Sequence, residues 1–169
     1  DCGFTPLQLA SVASTIGNRG VRYKPYLVDS LYNYGTKEMT SKTKPEIAGK
    51  IELNEDYVYD YIIGGMIDAA RNVPSPYSLT EFGFDVAIKT GTPQTDMNDL
   101  SKQNSVFIGF APADDPQIAI YVVVDRPNAK KQDEAKFATG IVRNVLTEVL
   151  PYLNIYMTEE LSEKEIAEL

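Results

Sequence analysis

The chain has 169 residues, 43% of them hydrophobic, enough for one packed domain or a large part of one. Its 16 basic and 24 acidic side chains leave a net charge of -8; such a surface repels phosphate backbones and argues against nucleic acid as a partner. There is no histidine and Cys2 is the only cysteine, which excludes a Ser-His-Asp triad, a Cys-His dyad, a His-ligated metal and an internal disulfide within the chain.

Taken in order, Thr5-Pro6 reads as a helix start, with threonine as cap and proline at the first helical position. Leu9, Val12, Ala13 and Ile16 recur at helical spacing, and Gly17-Asn18-Arg19-Gly20 reads as the stop. Tyr23–Tyr32 is expected to be extended, and Asn33–Lys50, polar with Gly35, Pro45 and Gly49, to be a surface excursion. A second helix is expected to be capped by Asn54, to carry Val58, Tyr61, Ile62, Met66 and Ala69 as its apolar stripe, and to end before Pro74 and Pro76. In its first turns Tyr57, Tyr59 and Tyr61 read as packing and surface residues.

Phe84–Thr92 reads as a strand. Ser105–Phe110 and Gln117–Asp125, joined by the turn-rich link Ala111–Pro116, read as an antiparallel hairpin beside it. A third helix through Ala138, Ile141, Val142, Val145, Leu146 and Val149 is expected to stop at Pro151. The acidic tail from Asn154 holds Ser162 and Glu165 at capping-box spacing, the mark of one more short helix. The fold class is α+β, an antiparallel sheet flanked by helices. The longest apolar run, Ile118–Val124, has the length of a strand, so no membrane contact is expected of this segment. The opening Asp1-Cys2-Gly3-Phe4 lacks a leader's basic region, and the sequence reads as a piece of a longer polypeptide.

The chemistry concentrates in Lys89-Thr90-Gly91-Thr92. A strand with a lysine, two hydroxyls and a glycine offers a cation and hydrogen-bond donors along one edge. Thr90 and Thr92 share strand parity, and Gly91 leaves room for another backbone. Such an edge can hold a peptide carboxylate while a backbone N–H steadies an oxyanion. Four residues alone leave open a plain strand end with a turn glycine.

Lys-Thr-Gly is one of three elements of penicillin-binding proteins and class A β-lactamases, with Ser-x-x-Lys and Ser-Asp-Asn. Two further stretches carry the likeness. One is Thr5-Pro6-Leu7-Gln8-Leu9-Ala10 with Ile16-Gly17-Asn18-Arg19-Gly20 and Lys24-Pro25; the other is Ser105–Pro112 with Asp115-Pro116 and Val122-Val123-Val124. With the Lys-Thr-Gly strand between them, they occur in family order over residues 5 to about 150. On these residues the chain resembles the C-terminal part of a penicillin-binding transpeptidase domain, closer in wording to class B members of the serine β-lactamase/penicillin-binding superfamily. It departs at Ile88 and Pro93, where the family has glycine and alanine; Pro93 has no N–H, so pairing is expected to loosen there.

The resemblance implies a partial transpeptidase fold over residues 1–153, followed by the tail 154–169. It implies Lys89 and Thr92 as catalytic, through cleft electrostatics and the Thr92 N–H at the oxyanion, and Thr90, Gly91 and Thr92 as substrate-binding. It implies no cofactor and no metal. The partners implied are a peptidoglycan stem peptide ending in D-Ala-D-Ala, β-lactams, and the upstream part of the same polypeptide, at the extracytoplasmic face of the bacterial membrane. The family's Ser-x-x-Lys precedes the Thr-Pro-Leu-Gln helix, so the nucleophile is expected outside this chain and the chain alone is expected to be inactive. The formal match Ser41-Lys42-Thr43-Lys44 reads as polar loop, because Lys44 precedes Pro45, which disfavours helix there. Lys130-Lys131 reads as solvated. Alternatives are a β-lactam sensor or scaffold of the same fold, and a serine β-lactamase or D,D-carboxypeptidase.

Overall fold

The computed structural model describes residues 3–55, 57–96, 98–99 and 102–156. Helix α1 spans Pro6–Gly17. Its start is a reciprocal capping box: the Thr5 N–H donates to Gln8 Oε1 at 2.8 Å, and the Gln8 N–H donates to Thr5 Oγ1 at 3.3 Å. The expected stop holds. Arg19 and Gly20 both take positive φ, and a Cβ on Gly20 would stand 2.3 Å from the Tyr59 hydroxyl, so only glycine fits.

Residues 21–50 fold differently from expectation. The polar stretch is not merely an excursion; it returns on the extended one as a long, largely exposed hairpin. β1 (Val21–Tyr23) pairs with β4 (Ile47–Lys50), and β2 (Ser30–Tyr32) with β3 (Met39–Lys42), both antiparallel. The tip turns because Asn33 Oδ1 accepts the N–H groups of Gly35 and Thr36 at 2.9 and 3.0 Å. Most side chains along both ribbons are exposed, and with no buried face the two-residue alternation that marks a strand is absent from the sequence.

Helix α2 spans Tyr57–Arg71, and the Val58 N–H donates to the Glu55 carbonyl at 3.2 Å just after the expected cap Asn54. Its inner face is Tyr59, Ile63, Met66, Ile67 and Ala70. Of the expected stripe, Met66 is buried and Ala69 packs against the core, while Tyr61 and Ile62 are exposed and Tyr59, Ile63, Ile67 and Ala70 complete the inner face. The helix is apolar at so many positions that two neighbouring stripes satisfy helical spacing, and packing against the sheet selects one.

The central sheet has the order β5-β6-β7, from β5 (Ala87–Gly91), β6 (Ser105–Ala111) and β7 (Ile118–Val124), all antiparallel. Helices cover both faces. Ile88, Phe107 and Ala111, with Ile118, Ile120, Val122 and Val124, meet Ala138, Val142, Leu146 and Leu150 of α3 (Lys136–Tyr152). Ala87, Phe110 and Ala119 meet Ile16 of α1 and Ile63, Met66 and Ile67 of α2. Burying each such aliphatic or aromatic side chain contributes about 1.5–3 kcal/mol. α3 does not stop at Pro151; it includes it in its last turn. The carbonyl that proline leaves without its helical donor is that of Thr147, an exposed residue. Ile155 folds back on the same core, while the expected Ser162–Glu165 capping box lies outside the described residues. No helix among the described residues is long and apolar enough to cross a membrane.

Candidate active site

β5 is an edge strand, and its register on β6 fixes which way each residue of the Lys-Thr-Gly-Thr stretch points. Lys89 stands opposite Ile108, Thr90 opposite Phe107 and Gly91 opposite Val106. Facing residues of an antiparallel pair share a side of the sheet. Phe107 lies in the α3-side core, so Thr90 turns toward α3, where it lines a cavity of about 400 Å³ with Tyr77, Lys136 and Thr139. Lys89 turns to the α1–α2 face and is exposed. Its ammonium donates to the carbonyl of Thr90.

Beyond Gly91 the same register continues with fewer bonds. The Asn104 N–H donates to the Pro93 carbonyl at 3.0 Å, and the Thr95 N–H to the Lys102 carbonyl at 2.9 Å. Pro93 has no N–H to return, and the strand ends at Gly91, as its ring predicts. These bonds fall on odd-numbered residues of the first strand. By the alternation of an antiparallel ladder, Thr90 and Thr92 direct their backbone N–H and C=O to the unpaired side. The Lys89 bond to the Thr90 carbonyl agrees with that geometry. Among the described residues that edge is open, and it presents the Thr92 N–H on the side where the Lys89 ammonium meets the Thr90 carbonyl.

The loop that follows is gathered around Lys102, whose ammonium lies 3.4 Å from both Asp96 and Asp99. The Asn98 N–H donates to Asp96 Oδ1 at 2.9 Å and, with Lys102, holds the Asp96 carboxyl below its ordinary pKa; the two carboxylates push Lys102 up. Ser41 lies in β3 opposite Leu31, exposed and on extended backbone rather than at a helix start. Among the described residues no group of three or more His, Cys, Asp or Glu side chains is gathered to hold a metal ion.

The sequence reading passed over Ser105. It opens β6, is fully buried, and hydrogen-bonds to the first turn of α3. A lone serine at a strand start carries no signal of a partner about thirty residues away.

Lys-Thr-Gly is one of the sequence elements of penicillin-binding proteins, and here it lies on the open edge strand of an antiparallel sheet between helical layers. Residues 2–147 match the family described as "Penicillin binding protein transpeptidase domain", and the chain belongs to that family. Penicillin-binding protein 2A of Bacillus subtilis (strain 168) is 36% identical over 132 residues, 72% of this chain and 18% of the relative. Stage V sporulation protein D of the same organism is 32% identical over 170 residues, 95% of this chain and 25% of the relative. The structure of penicillin-binding protein A from M. tuberculosis as an imipenem acyl-enzyme complex superposes with a TM-score of 0.67 at 26% identity, covering 86% of this chain and 32% of that one. The chain thus spans a quarter or less of the length of these two curated relatives.

Proposed function

We propose that the chain is the C-terminal part of a serine-type peptidoglycan D,D-transpeptidase, supplying one wall of the acyl-transfer cleft. Residues 1–153 belong to the transpeptidase domain, and 154–169 form an acidic tail. The observation that carries the reading is the pairing of an outward Thr92 N–H with the exposed Lys89 ammonium on the one unpaired edge of β5. That edge suits an extended peptide: the substrate lies along β5 as an added strand, and Gly91 leaves it room.

In this reading the Thr92 N–H stabilises the oxyanion of the tetrahedral intermediate, and the Thr92 hydroxyl holds the donor carboxylate. Lys89 adds positive potential. Thr90 contributes its outward backbone to the substrate edge, and its hydroxyl, on the same side of the strand as that of Thr92, also holds the carboxylate. The donor is a stem peptide ending in D-Ala-D-Ala, and β-lactams acylate the same serine. That serine comes from upstream polypeptide. An apolar surface suits such a neighbour: Phe4, Leu7 and Val12 of the α1 region and Val123 of β7 are all exposed. The site works at the extracytoplasmic face of the membrane.

Fluorescent penicillin followed by intact-mass spectrometry tests this. The 169-residue chain should take up no label, and the full-length polypeptide should take up one. An adduct on the isolated chain that disappears in Ser41→Ala would relocate the nucleophile and sink the reading.

A further inference from the structure

Ser105 has 0% relative exposure. Its hydroxyl donates to the Glu134 carbonyl at 2.9 Å, with the Ala135 carbonyl at 3.4 Å, and accepts the Ala138 N–H at 3.2 Å. α3 begins just after Ala135, whose methyl offers no capping acceptor. Ser105 therefore supplies from the sheet the oxygen that a capping side chain would supply from the helix. Its two predecessors are tied to the same region. The Gln103 N–H donates to Gln132 Oε1 at 3.0 Å, and Asn104 Oδ1 accepts the Arg126 N–H at 3.1 Å.

These three residues face the end of the substrate edge. Gly91 pairs with Val106 and Pro93 accepts from Asn104, so Ser105 stands opposite Thr92. Past Gly91 the first strand is held by single bonds, because Pro93 returns none. The place of the Thr92 backbone then depends on how firmly residues 103–105 are fixed, and that fixing comes from the segment leading into α3.

We infer that Ser105 is a positioning residue for acyl transfer: by clasping the start of β6 to the first turn of α3, it sets the position of the Thr92 N–H and hydroxyl at the open edge. The inference rests on the proposed role of the Lys89–Thr92 edge. A small displacement of a group that stabilises the transition state costs rate more than ground-state affinity.

The test uses the full-length polypeptide and stopped-flow acylation by a fluorescent penicillin, resolved into a dissociation constant and an acylation rate constant. Ser105→Ala should lower the rate constant about ten- to a hundredfold, the loss typical of a slight misplacement, with the dissociation constant little changed. Val142→Ala, a cavity in the same α3-side core, should lower the melting temperature comparably and keep the parental rate constant. If Ser105→Ala does not fold, Ser105→Cys makes the same comparison, keeping a side chain of similar size with a much weaker donor and acceptor. Parental rates in the Ser105 variants while Lys89→Ala is slowed would overturn the inference and leave the edge standing. Equal slowing in Val142→Ala would also overturn it, reducing Ser105 to packing. A parental rate in Lys89→Ala would remove the edge itself, and the inference with it.

Discussion

Lys89 and Thr90 are neighbours in sequence and face opposite layers. Thr90 stands opposite Phe107 in the α3-side core, and Lys89 stands opposite Ile108 on the face of α1 and α2. The two faces of one strand thus differ: Thr90 borders the cavity on the α3 side, and Lys89 is exposed on the other. A consequence for catalysis follows for the full-length polypeptide. In the proposed reading, Thr92→Val keeps the shape and the backbone N–H but removes a hydroxyl that bonds the donor carboxylate, worth about 1.5–3 kcal/mol. Acylation by penicillin should slow about ten- to a hundredfold. Lys89→Ala should cost at least as much, and Lys130→Ala, an exposed loop charge, should cost little. Second-order acylation rates decide it; parental rates in both edge variants would make the motif a coincidence of strand composition.

The same strand limits what Gly109 can become. Gly109 stands opposite Ile88, and a Cβ on it would lie 2.4 Å from the Ala87 carbonyl and 3.3 Å from the Ile88 Cα. Backbone on both counts cannot swing aside. Gly109→Ala should therefore destabilise by about 1–3 kcal/mol and raise amide exchange along β5. Gly64, inside α2, has no neighbour within 4 Å of its would-be Cβ, so Gly64→Ala should stabilise by about 0.5–1 kcal/mol. Urea midpoints on the two variants should move in opposite directions.

The parts of the fold legible in the sequence share one property: each carries its signal in residues close together along the chain. The Thr5 cap with Pro6 behind it, the β6–β7 hairpin and the loosening at Pro93 all follow from local chemistry; the Gln8 half of the capping box came from the structure. The helix α2 was placed, but only Met66 and Ala69 of its packed side were, because Tyr61–Ile63 and Met66–Ile67 are apolar on adjacent positions. The ribbons of residues 21–50 bury almost nothing, so no alternation marks them. The Lys-Thr-Gly-Thr edge was legible as composition; that Lys89 and Thr90 part company across the sheet needed the register. Ser105 was invisible because its partners lie in a loop whose path no short-range pattern encodes.

The loop after the edge makes a prediction about titration. The Asn98 N–H first, and Lys102 second, favour the charged form of Asp96. Because the folded-state pKa is depressed, this contribution to stability is full above the ordinary value of 3.8 and is lost as pH falls through the folded pKa. Carbon-detected NMR should give Asp96 a midpoint below that ordinary value. Lys102→Met should raise it only part of the way, since the Asn98 N–H remains. A full return to the ordinary value in Lys102→Met would assign the effect to the ion pair alone.

A final prediction concerns the pair that ties α3 to the turn before β5. The Arg143 Nη2 lies 2.7 Å from Glu81 Oε2 and 2.6 Å from Oε1, with the two side chains 31% and 18% exposed. Around them Phe82, Phe84, Leu146 and Leu150 line a cavity of about 400 Å³, and the Arg143 Nε is buried without an acceptor. Glu81→Ala leaves a largely buried guanidinium with nothing to neutralise it, and should cost about 1.5–3 kcal/mol. Replacing both members by apolar residues, Glu81→Leu with Arg143→Met, removes the stranded charge together with the orphaned Nε and adds apolar area to a pocket already lined by it. Such replacements are often neutral or stabilising, so the double variant should be more stable than Glu81→Ala and close to the parent. Urea unfolding of the parent, Glu81→Leu, Arg143→Met and the pair gives the cycle, with Glu81→Ala beside it. A double variant as unstable as the sum of its singles would mean that the two side chains contribute independently, through packing rather than through their mutual charge.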